Sequence, residues 1–80
     1  MARLRTFHKV IGSGRIHPTE VDAEWTVVTA DTGERLLQVS TFGSDSRASI
    51  PKVSQTIQLD EGMAHQLRSA LDDTFGVQRR

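Results

Sequence analysis

From position 54 onward the sequence commits to a strand that turns directly into a helix. Ile57 and Leu59 alternate with Thr56 and Gln58, the period of a half-buried strand, which predicts a strand over 54–59. Beyond Asp60 the apolar residues recur as Met63, Ala64, Leu67, Ala70, Leu71 and Phe75, the three-to-four spacing of one helix face. The predicted helix runs over 61–75. Asp60 has the carboxylate to accept the orphan amide protons of its first turn. Glu61 suits the positive end of the helix dipole, and Gly76 can take the left-handed conformation that stops the helix. On this pattern Met63, Leu67, Ala70, Leu71 and Phe75 should point inward, with Gln66, Arg68 and Asp72 outward.

Three more strands are expected ahead of that unit. Over 3–11 the residues alternate with neither side cleanly apolar, which suits an edge strand blunted by Arg5 and Lys9. Gly12 to Thr19 reads as a loop. Over 24–29, Trp25 and Val27 share one side, and Thr26 and Val28 the other. Ala30-Asp-Thr-Gly33 is a hairpin turn in which Gly33 supplies the positive φ. Over 35–42, Leu37 and Val39 lie on one side, and Leu36, Gln38, Ser40 and Phe42 on the other. Residues 43 to 51 form a polar connection. The order β-β-β-β-α makes an α+β fold, a four-stranded antiparallel sheet with the helix packed on one face, in one domain over 1–80.

Eighty residues without cysteine have neither a large core nor a disulfide framework. Association is the remaining source of stability, so a homodimer is expected. Ten Lys plus Arg balance ten Asp plus Glu, which removes long-range steering toward nucleic acid or an anionic membrane. No apolar run approaches the roughly 20 residues of a membrane span, and no targeting segment leads the chain, so the expected location is the cytoplasm.

Candidate chemistry is sparse. Gly12-Ser-Gly14 lacks the spaced glycines and following helix of a phosphate loop. His17, Glu20, Asp22 and Glu24 read as a solvated acidic edge rather than as metal ligands. His8 and His65 have no nucleophile beside them in sequence, and Glu61 with His65 suits a surface pair one helical turn apart. No cofactor, metal or small-molecule substrate is expected, and no catalytic residues are assigned. Asp72 and Asp73 oppose the helix dipole, so either Arg79 and Arg80 return near them or this helix end meets a basic partner such as a twin subunit, and the first reading is preferred.

The strands are rich in uncharged hydrogen-bonding residues, Thr26, Thr29, Gln38, Ser40, Thr41, Ser54, Gln55, Thr56 and Gln58, with the cations Arg5, Lys9, Arg15, Arg35, Arg47 and Lys52 around them. Trp25 and Phe42 supply aromatics. Such a mixture can hold a single strand, with bases stacking on the rings and phosphates pairing with the cations. The same mixture is also an ordinary polar sheet face whose aromatics belong to the core. Cations gathered on one face would mark a nucleic-acid groove; cations scattered would mark an interaction module.

The segments Leu36-Leu-Gln-Val-Ser-Thr-Phe42 and Lys52 to Asp60, followed by the helix, resemble the positive-cofactor-four transcriptional coactivator family and its bacterial relatives. The resemblance spans Trp25 to Phe75. It implies a dimer that binds single-stranded DNA or RNA along its strands, without catalysis, in a transcription-related role. The candidate contacts are then Lys9, Arg15, Trp25, Arg35, Phe42, Arg47 and Lys52. The chain departs from the family in having Gln38 and Ser40 about Val39, and Ser54-Gln-Thr56 rather than Lys-Gly ahead of Ile57. The alternative is a structural or regulatory protein–protein interaction module that binds no nucleic acid.

Overall fold

The computed structural model describes residues 1–12, 14–43 and 52–76. Five elements follow in chain order: β1 (Ala2–Arg3), β2 (Ala23–Thr29), β3 (Arg35–Phe42), β4 (Val53–Leu59) and α1 (Glu61–Phe75). The fold is α+β, one four-stranded sheet followed by one helix. The strands lie in the order β1-β4-β3-β2.

Local signals set the hairpin and the helix. Gly33 has φ 93°, and its N–H donates to the Ala30 carbonyl at 2.9 Å, while the Ala30 N–H donates to Glu34 at 2.7 Å. This turn brings β2 antiparallel onto β3, with Trp25 opposite Val39 and Val27 opposite Leu37. β4 lies antiparallel on the other side of β3, with Ile57 opposite Val39 and Leu59 opposite Leu37. The register shifts at Thr41 and Phe42, so that Phe42 meets Val53. At the start of α1, Asp60 Oδ1 accepts from the Met63 N–H at 2.9 Å. At its end Gly76 adopts φ 60°, and its N–H donates to the Asp72 carbonyl at 2.8 Å.

The first strand is a correction. The alternation over 3–11 predicted a long antiparallel strand, but only Ala2 and Arg3 pair, and they pair parallel to β4 opposite Ile57 and Gln58. The sheet is therefore mixed. Leu4 adds one bond, its N–H donating to the Gln58 carbonyl at 2.9 Å. Beyond it only Phe7 is half-buried, and Arg5, Thr6 and His8 to Ile11 are exposed. Neither side of that segment offers an apolar row to bury, so nothing drives it onto the sheet.

The helix is the second correction. It touches β3 and β4, but none of its residues is buried. Met63, Ala64, Leu67 and Ala70 are half-buried as their spacing requires, while Leu71 and Phe75 are exposed and Asp72 is half-buried. Periodicity places these side chains on one stripe; it does not supply a surface to cover the whole stripe.

The core is correspondingly small. Among the described residues the buried side chains are Leu36, Leu59 and Thr56. The chain exposes 7459 Å², where a compact monomer of its 8.9 kDa exposes about 4,800 Å².

Candidate interaction surface

Cross-strand partners share a face, so the register sorts every strand residue. One face carries Trp25 and Val27 from β2, Leu37 and Val39 from β3, and Ile57 and Leu59 from β4. Leu59 is buried at one end of this face, where Val27, Leu36, Leu37 and the helix residue Ala64 line one cleft with it. The rest of the face is open. Trp25 is 70% exposed, Val27 53% and Ile57 39%, and Val39 between Trp25 and Ile57 is only half-buried. A contiguous apolar row with a tryptophan at its edge is thus left in water.

The opposite face uses its polar groups on itself. The Gln58 Nε2 donates to Gln38 Oε1 at 2.9 Å, and the Ser40 and Thr56 hydroxyls lie 3.2 Å apart. Four of the hydrogen-bonding residues that suggested ligand contacts are therefore engaged with one another. Such cross-strand pairs stabilise a sheet and remove the need for an external partner.

Among the described residues, the candidate nucleic-acid contacts that lie on the sheet do not converge. Phe42 falls on the Gln38 face, opposite to Trp25, and is half-buried in a cleft lined by Asp22, Ala23 and Glu24. Two carboxylates beside it disfavour phosphate. Arg35 shares the Trp25 face but opposes Thr29. It lies four residues along the ladder from Trp25, about 13 Å. Lys52 is at the other end of the sheet, where its carbonyl accepts from the Gly43 N–H at 3.2 Å. Lys9 and Arg15 are exposed in the segment between β1 and β2. Arg47 lies outside the described residues, as do Arg79 and Arg80. Of the described cations whose place on the sheet is fixed, Arg35 and Lys52 lie toward its opposite ends rather than beside Trp25.

Sequence reasoning missed one charged residue that organises the fold. The Arg3 Nη2 donates to Glu34 Oε2 at 2.9 Å and to Asp60 Oδ2 at 3.2 Å. It thereby joins β1, the end of the hairpin turn and the start of α1. No local signal marks it, because its partners are 31 and 57 residues away. The Met63 N–H, and after it the Arg3 guanidinium, hold the Asp60 carboxyl below its ordinary 3.8. With the folded value below the unfolded one, this stabilisation is present at neutral pH and is lost as the pH falls through the folded value. Asp60→Ala should therefore lower the urea midpoint at pH 7 more than Asp60→Asn does, because asparagine still caps. The difference between the wild type and Asp60→Asn should shrink below about pH 4. Equal losses from the two variants at pH 7 would show that capping is not what Asp60 supplies.

His65 Nε2 lies 3.6 Å from Glu61 Oε2 on the exposed helix surface, the expected one-turn pair. Among the described residues no three His, Asp or Glu side chains gather as metal ligands, and no helix is long and apolar enough to cross a membrane. The chain matches no family model, no curated protein and no solved structure.

Proposed function

We propose that the chain is a non-catalytic protein–protein interaction module that works as a homodimer and offers the Trp25 face of its sheet as a contact surface. A cytoplasmic setting belongs to the same proposal. The observation that carries it is the open row Trp25, Val27, Val39 and Ile57, with Trp25 70% exposed. A tryptophan is a typical anchor of an interface centre, and the apolar row beside it gains by leaving water. The small core supports self-association, since a chain of this size without disulfides needs further burial to be stable. Light scattering at tens of micromolar should return twice the 8.9 kDa chain mass. A mass of 8.9 kDa up to hundreds of micromolar would remove the homodimer.

The second reading is the binding of single-stranded DNA or RNA without catalysis. The exposure of Trp25 on a strand favours it, because a base can stack there with Arg35 farther along the same face. Against it stand the separation of Arg35 and Lys52 along the sheet and the balanced net charge. Backbone phosphates supply most of the affinity for single strands and require several nearby cations.

A further inference from the structure

β2 ends the sheet, and among the described residues it has a neighbour on one side only. Its seven residues, Ala-Glu-Trp-Thr-Val-Val-Thr, contain no Lys, Arg or Pro, the residues that usually guard a long edge. β1, at the other edge, is two residues long.

The ladder fixes which backbone groups of β2 face away from β3. The Phe42 N–H donates to the Asp22 carbonyl at 3.0 Å, and the Ala30 N–H to the Glu34 carbonyl at 2.7 Å. Asp22 and Ala30 bracket β2, so Glu24, Thr26 and Val28 between them also turn their amides and carbonyls toward β3. The alternate residues Ala23, Trp25, Val27 and Thr29 turn theirs outward.

A second copy of the chain fits this edge at full length. With a two-fold axis through Thr26, Ala23 opposes Thr29 of the second copy, and Trp25 opposes its Val27. Every outward amide and carbonyl of both strands then meets a partner. Centring on Trp25 instead leaves Thr29 beyond the end of the facing strand. In the Thr26 register Glu24 opposes Val28, so no like charges meet, and Thr26 opposes Thr26, a favourable hydroxyl pair. The chain carries no net charge, so two copies have no long-range repulsion to overcome.

We propose that two copies join edge to edge through β2, antiparallel and centred on Thr26, to make one eight-stranded sheet. The inference rests on the homodimer reading and names the edge that does the joining. Both Trp25 faces then lie on one side of the joined sheet, and each Trp25 packs beside Val27 of the other copy.

The absence of cysteine makes the register directly testable. In a non-hydrogen-bonded antiparallel pair the Cα atoms are about 4.5 Å apart, within the span a disulfide accepts. Thr26→Cys should therefore convert to a disulfide-linked dimer under oxidised glutathione, with its far-UV circular dichroism unchanged. The two Thr29 positions lie about 20 Å apart in this register, so Thr29→Cys should stay almost entirely unlinked. Val27→Pro removes an outward amide without cutting the β3 ladder, and should leave a folded monomer where the wild type is a dimer. Thr29→Cys linking as fast as Thr26→Cys would overturn the register. A dimeric wild type whose Thr26→Cys variant never links, or whose Val27→Pro variant stays dimeric, would place the joint elsewhere and leave the homodimer standing. A monomeric wild type would remove both.

Discussion

Leu59→Ala should destabilise the protein by about 2 to 5 kcal/mol, the range for emptying a buried leucine site. Leu59 is the most buried of the core residues, at 5% exposed. It closes β4 one residue before the helix cap, and shares its cleft with Val27, Leu37 and Ala64. Truncation empties this cleft beside the start of the helix. Leu67 is only half-buried, so Leu67→Ala should cost less. Urea denaturation at one fixed protein concentration gives both values, a precaution that self-association requires. A larger loss from Leu67→Ala would move the centre of the core from the strand end to the helix.

Trp25→Ala should weaken self-association by about 2 kcal/mol, roughly 30-fold in dissociation constant. Tryptophan at the centre of an interface is among the most costly residues to truncate. At a concentration low enough to favour monomer, the same change should shift stability by less than about 0.5 kcal/mol, because an exposed side chain contributes little to the chain's own core. Sedimentation of wild type and variant over a concentration series separates the two effects. A dissociation constant changed less than threefold, or a large loss of monomer stability, would show that Trp25 serves the chain's own fold.

The parts of this fold that were legible in the sequence are those determined over a few residues. The helix over 61–75 follows from its spacing together with Asp60 and Gly76, and β3 over 35–42 from its alternation beside the Gly33 turn. The strands expected over 24–29 and 54–59 each begin one residue earlier, at Ala23 and Val53. β1 was not legible, because its pairing with Ile57 and Gln58 depends on residues more than fifty positions away. Alternation gave the side each residue shares within its own strand. Only the register of β2 on β3 reveals that Trp25 and Phe42 lie on opposite faces. The cations show the same limit. Arg35 and Lys52 were both candidate contacts, yet the antiparallel ladder sends them to opposite ends of the sheet.

Trp25 is the only tryptophan in the chain, so its fluorescence reports on the proposed contact surface without a label. Its emission should be followed while single-stranded DNA and RNA oligonucleotides are titrated at 50 mM salt and again at moderate salt. A protein-binding face predicts no saturable change at either salt concentration. A saturable change at 50 mM salt that weakens steeply as salt rises would mean that bases and phosphates meet this face. It would replace the protein-interaction reading with the single-strand one.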